Sequence, residues 1–292
     1  MRFPVALVFV VSIVGIGSTP VRSAEAQRPA ADRVRETIDK ALAAGGDIPG
    51  QAKNLVELAW PAGKRDEVVA ARARRELVNF GVHALPPLRK ALNTVKTEYT
   101  EEVMATTLGA QRMEPSAASV DYLASAFDAL WIGSHGAKVL AIQAVTVDRT
   151  PMAVGMMIDC VIDDPTLAPQ VVEALGTMRF QQARFYLEKV MMEGPPTLRP
   201  VAASSLAQIG GLALLPLRNA LKAPNREARL LAARSLLPVA TEFDLGALYE
   251  YLEKHGDDDP TLTQELKALS VRIEKAIAAR DANAAAATPQ EN

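Results

Sequence analysis

The stretch ALPPLRKAL at residues 84–92 returns as ALLPLRNAL at 213–221, with seven of nine positions identical. A phrase written twice so far apart predicts a repeated structural unit, so the period has to be found first. Just before the first copy, ARARRELVNFG places Ala73 four residues ahead of Leu77 and Phe80 three residues after it. The pattern recurs at Leu108, Val145, Leu175, Leu206 and Leu236, with spacings of 31, 37, 30, 31 and 30 residues. Four positions before the anchors stand Ala73, Met104, Ala141, Val171, Ala202 and Ala232, all apolar. Apolar residues at i, i+4 and i+7 form one stripe along a helix. The long spacing between Leu108 and Val145 predicts an insertion near 111–119, where QRMEPSAAS has the composition of a loop.

A second helix follows each anchor helix. After Gly81 come Leu85, Leu88 and Leu92, and after Gly210 and Gly211 come Leu214, Leu217 and Leu221, the same stripe. Glycine at these points suits a left-handed helix end, because it has no Cβ to clash. Pro87 and Pro216 then fall in the first turn of the next helix, where a missing N–H costs little. The runs Asp163-Asp164-Pro165 and Asp257-Asp258-Asp259-Pro260 predict acidic caps instead. The nearest approach to a strand, VLAIQAVTV at 139–147, also fits the anchor helix of its unit. The chain therefore reads as all-α, with roughly a dozen helices between about residues 30 and 280. From Asp281 the end reads DANAAAATPQEN, expected to be a flexible tail over 281–292.

A helix pair of about 30 residues cannot bury both apolar faces alone, and stacking the pairs gives each one two neighbours and a continuous core. The units at 69–94, 165–193, 199–222 and 227–253 resemble HEAT repeats, in the short form of HEAT-like bilin lyases. The residues that carry the likeness are the A-x-x-L helix end, the following Gly and the ALxPLxxAL second helix. It is clearest at 71–93 and 199–240 and weaker between 95 and 160. The resemblance implies an α-solenoid of stacked antiparallel helix pairs, one array over 27–280, and is nearly silent about activity.

Ahead of the array, MRFPVALVFVVSIVGIGSTPVRSAEAQ has a basic Arg2, an apolar run and small residues ending in Ala24-Glu25-Ala26. That order predicts a secretory signal over residues 1–26 and an exported protein, periplasmic or extracellular. The apolar run is too short to cross a bilayer of about 30 Å, so no membrane span is expected after cleavage. The whole chain carries a net charge of −2, with both signs interspersed. Such a balance argues against nucleic acid as a partner, whose binders show a strong basic excess. The single cysteine, Cys160, closes no disulfide within the chain, so an ordinary apolar core must hold it together. Hydrophobic residues at 49%, with only 5% aromatics, suit close-packed helices.

Chemistry-bearing constellations are sparse. His83, His135 and His255 stand apart, with no metal-binding spacing and no His-Glu dipeptide. Cys160 lies in an apolar helix and reads as a small core residue, and the methionines at 152, 156, 157, 178, 191 and 192 read as core filling. Trp60 and Trp131 are expected to pack between repeats; an exposed one would mark a contact site. The Asp triplet at 257–259 lacks the alternation of a calcium loop. Arg72 and Arg75, with Glu76 and Asn79, fall on the face opposite Ala73, Leu77 and Phe80, and Arg226 and Arg229 flank the stripe of the last unit. In a HEAT array the second helices line the concave surface, and Arg72, Arg75, Arg226 and Arg229 are expected to contribute a basic, partner-binding ridge there. The predicted function is thus a non-enzymatic scaffold that binds another protein along its concave face, without a cofactor. The alternative is an enzyme or small-ligand binder, lyase-like, built on the same array.

Overall fold

A computed structural model describes residues 24–113 and 120–287. Every regular element among them is helical: fifteen α-helices and six short 3-10 turns, with no strand. Residues 1–23 of the signal expected over 1–26, and the part of the expected insertion at 114–119, lie outside the described residues. The first helices are α1 (Ala24–Gly45), α2 (Ile48–Ala59), α3 (Glu67–Asn79) and α4 (Leu85–Leu92). Next come α5 (Thr100–Met113), α6 (Val120–Ile132), α7 (His135–Asp148) and α8 (Ala153–Asp163). Then follow α9 (Ala168–Met178), α10 (Arg184–Glu193), α11 (Arg199–Ile209) and α12 (Leu215–Ala220). The last are α13 (Arg226–Leu236), α14 (Leu245–His255) and α15 (Pro260–Ala287).

The repeated phrase is explained by its local geometry. Gly81 and Gly210 take φ of 56° and 70°, ending α3 and α11 in a conformation that side chains disfavour. Pro87 and Pro216 sit in the first turns of α4 and α12. At other starts side chains satisfy the orphan N–H groups of the first turn. Asp66 accepts from Val68 and Val69 N at 3.0 and 3.2 Å, and Ser134 from Ala137 N at 3.3 Å. The two acidic caps form as expected: Asp164 accepts from Thr166 N at 3.1 Å, and Asp259 from Thr261 and Leu262 N, both at 3.1 Å.

The anchors Leu77, Val145, Leu175, Leu206 and Leu236 are fully buried, as are Ala73, Met104, Ala141, Val171, Ala202 and Ala232. In α5 the register differs from the sequence pattern. Leu108 is only half-buried, while Val103, Thr107 and Ala110 are buried. Thr107, 30 residues after Leu77, is the true counterpart of the other anchors. It is tolerated inside because its hydroxyl donates to the Val103 carbonyl at 2.9 Å. The C-terminus also departs from expectation: α15 continues to Ala287 instead of fraying from Asp281. Residues 281–287 read DANAAAA, and alanine is the strongest helix former.

Packing follows the chain order. The odd-numbered helices join in sequence, α1 to α3, α3 to α5, and so on through α13 to α15. Among the even-numbered ones, α2 packs on α4, α4 on α6 and α6 on α8, and this second row thins afterwards. Alanine at four of the six buried positions ahead of the anchors lets neighbouring odd helices approach closely. The same closeness is forced at Gly176, where an added Cβ would stand 2.8 Å from the Ser205 backbone. Ser205 itself bridges α11 to α9 by donating to the Val172 carbonyl at 2.8 Å.

Two helix ends are unusual. Arg149 and Arg179 close α7 and α9 with φ of 49° and 60°. They occupy the position, four after the anchor, where Gly81 and Gly210 stand in other units. A residue with a Cβ pays about 1 kcal/mol for that conformation.

Candidate partner-binding groove

A depression of about 700 Å³ lies between α1 and α3, which pack on each other and on α2. Its apolar lining comes from Val34, Ile38 and Leu42 of α1 and Val68 of α3. Ile38 is buried and seats the groove on the core, whereas Val68 is exposed at its lip. The helical period explains the arrangement, because residues three and four apart on α1 share the side that faces α3. Above this floor stand charged side chains of both signs. Arg35 pairs with Asp39 at 3.7 Å and Arg72 with Glu76 at 2.5 Å, each across one helical turn. Such exposed pairs are worth about 0–1 kcal/mol and exchange readily for an incoming charge.

Arg75 differs from its neighbours. It lines the groove beside Arg72 and also lines a shallower depression of about 300 Å³ between α3 and α5, with Arg74, Val78 and Ala105. It thus stands on the wall shared by the two depressions, exposed and, among the described residues, with no carboxylate engaging it.

The platform beneath is rigid for a reason the sequence pattern did not reveal. Three donors converge on one oxygen of Glu102: Trp60 Nε1 at 3.1 Å, Arg65 Nη2 at 2.6 Å and Arg74 Nη1 at 2.8 Å. The Arg65 guanidinium also covers the Tyr99 ring at 4.8 Å. This cluster ties the end of α2 and the face of α3 to α5 and fixes the helix that presents Arg72 and Arg75. The three donors lie 28 to 42 residues from Glu102, so no local motif announces the cluster.

The four arginines expected in one ridge are not brought together. All lie on odd-numbered helices, Arg72 and Arg75 on α3, Arg226 and Arg229 on α13, none on the second helix of a unit. Arg229 is only 7% exposed and is a structural group rather than part of an exposed ridge. It donates to both Asp258 carboxylate oxygens, at 2.7 and 3.0 Å, and to the carbonyls of Ala223 and Pro224, each at 2.8 Å. Its hydrogen bonds hold the Asp258 carboxyl below its ordinary pKa. Arg226 is exposed and donates to the Asp258 carbonyl. Two of the three Asp residues are thereby accounted for: Asp258 anchors α13 and Asp259 caps α15 while pairing with Arg234 at 3.0 Å.

Other sequence candidates fall into place around this. Burial pushes the Cys160 thiol up to about 11, and its Sγ donates to the Met157 carbonyl at 3.1 Å. His135 Nδ1 lies 2.7 Å from Asp164, joining the start of α7 to the turn after α8. Hydrogen bonds from Thr166 and then His135 lower the Asp164 pKa. Met157, Met178 and Met191 fill the core, whereas Met152 and Met192 are exposed. Trp60 is buried as expected, but Trp131 is not: it is 71% exposed at the end of α6. No described helix is long and apolar enough to cross a membrane. Among the described residues, no three His, Cys, Asp or Glu side chains converge as a metal-binding group. Neither the protein-family models nor the curated proteins contain a match to this sequence.

Proposed function

We propose that the chain is a HEAT-like α-solenoid, exported to the periplasm or the cell exterior, that acts as a non-enzymatic scaffold for another protein. The neighbour-to-neighbour packing of the odd-numbered helices and the recurrence of buried anchors near every 30 residues support the solenoid. The N-terminal order of basic residue, apolar run and A-x-A motif supports export. The observation that carries the function is the α1–α3 groove, open, apolar at its floor, and flanked by an exposed arginine that no carboxylate among the described residues engages. An apolar floor with a charged rim is the anatomy of a protein-recognition surface. Recognition is non-covalent: a partner side chain enters over Ile38 and Leu42 while its carboxylate meets Arg75 and draws Arg72 from Glu76.

Affinity capture from cell-envelope extract, read by mass spectrometry, tests this. The double variant Arg72→Glu/Arg75→Glu should lose the partner that the native chain retains, while Lys96→Glu, an exposed charge reversal elsewhere, should keep it. Equal recovery by all three overturns the assignment of the groove. N-terminal sequencing of the exported protein tests the address: a start after Ala26 supports it and an intact Met1 opposes it.

A further inference from the structure

A second surface, remote in sequence from the groove, has a different chemistry. The 3-10 turn Gln181–Ala183 packs on the turn Gly211–Leu214 of the next unit. Gln181 Nε2 fastens them together by donating to the Gly210 carbonyl at 2.9 Å. Across this junction lies a depression of about 480 Å³ whose lining includes Arg179, Gln182, Arg184, Phe185 and Leu212 and no carboxylate. Phe185 is 70% exposed and Leu212 62%. The Arg184 guanidinium stacks on the Phe185 ring at 4.3 Å and, among the described residues, engages no acid. Large apolar side chains left open to water beside cations mark a contact surface rather than a solvated face.

Arg179 supplies an independent argument. It holds the left-handed helix end that glycine holds at 81 and 210. A cation at a helix C-terminus is favoured by the helix dipole, and that alone would place its guanidinium on the final carbonyls. Here, among the described residues, no carbonyl or carboxylate accepts from the guanidinium, and Arg179 lines the depression instead. Arg149 repeats the same exception one unit earlier, at the end of α7, which packs on α9. Two successive units thus place arginine where glycine fits more easily, and the second of them, Arg179, stands beside Phe185 and Leu212.

We propose that Arg179, Arg184, Phe185 and Leu212 form a second docking site, whose occupant is an acidic segment of another protein carrying a large apolar side chain among its carboxylates. Charge complementarity selects that occupant. In a chain of net charge −2, the two charged residues of this lining are both basic. The occupant's apolar residue packs on Phe185 and Leu212, its carboxylates meet the two guanidiniums, and the Gln182 amide is free to bond its backbone. A concave, turn-bounded site with an amide in its wall fits a peptide better than a flat lipid surface.

Fluorescence anisotropy of the full chain with labelled short peptides tests the proposal. The probes are Asp/Glu-rich peptides bearing one Phe or Leu, and their Asn/Gln counterparts. The acidic set should bind and the amide set should bind roughly tenfold more weakly, as expected for the loss of charge-assisted hydrogen bonds. Arg179→Gly should weaken acidic binding roughly fivefold while leaving the melting temperature equal or higher, because glycine relaxes that helix end. Phe185→Ala should weaken binding to a similar degree. Arg72→Glu/Arg75→Glu should leave it unchanged, which separates this site from the α1–α3 groove. Failure of every acidic peptide to bind overturns the proposal, as does equal binding of the two sets or an unaltered affinity in Arg179→Gly. Capture by phosphatidylserine-containing vesicles, lost in Arg179→Gly without any peptide binding, overturns it in favour of a membrane surface.

Discussion

Arg229 and Cys160 show what burial does to a single side chain. Removing the Arg229 guanidinium leaves the Asp258 carboxylate and two carbonyls without their donors. Loss of one partner from a buried pair costs about 3 kcal/mol, so Arg229→Ala should shift the urea midpoint well below that of Arg226→Ala. Equal midpoints would contradict the buried placement. For Cys160, a thiol pushed up to about 11 holds its proton at neutral and mildly alkaline pH. Iodoacetamide at pH 8 should therefore modify it slowly in the native chain and rapidly in urea, as mass spectrometry would show. The core role of Cys160 was readable from its apolar neighbours, and so was the burial of Leu77, Leu175 and Leu206 from their spacing. The role of Arg229 was not, because its partner lies 29 residues away. A helix-face argument sees only the near side of such a pair.

Elements were the best-read level, since caps, glycine ends and apolar stripes are local. The helix starts at Asp164 and Asp259 and the ends at Gly81 and Gly210 follow from residue type alone. Misreading came where two local signals competed. Leu108 outranked Thr107 on hydrophobicity, yet Thr107 satisfies its hydroxyl within α5 and takes the interior. The polar residues of DANAAAA suggested fraying, but its alanines extend α15. Between elements, Gly176 sets how near α9 and α11 can come. Gly176→Ala should destabilise by about 2 kcal/mol through overpacking against Ser205; an unchanged melting temperature would mean the two helices separate freely. The link from α12 to α14 has a pH signature. Lys222 and Lys254 reach Glu250 at 2.5 and 2.9 Å, and their hydrogen bonds lower its carboxyl from 4.5 to about 2. A depressed native value means that the unfolded chain binds this proton more readily. The contribution is therefore complete above about pH 4.5 and disappears as pH falls toward 2. Glu250→Gln should flatten the acid side of the stability–pH curve, and an identical slope in both proteins would refute the link.

Across the molecule, every substantial packing contact joins helices close in chain order. In the proposed solenoid, stability accumulates interface by interface rather than from one central core. Leu206→Ala, in a fully buried mid-chain position, should cost about 3 kcal/mol and broaden the urea transition by uncoupling the two sides. Amide exchange should show protection changing mainly in α9, α11 and α13, the helices that adjoin the site, and uniform loss over the whole chain would argue for a single cooperative core. The sequence period foresaw the repeated unit, whereas it could not place the α1–α3 groove, which depends on how two separate helices tilt over α2. The serial arrangement also has a mechanical side. Helices joined like links share tension one after another, so a pull between α1 and α15 would be shared among the junctions of the odd row. That row is continuous from end to end, and the thinner second row past α8 is where such a pull should part helices first.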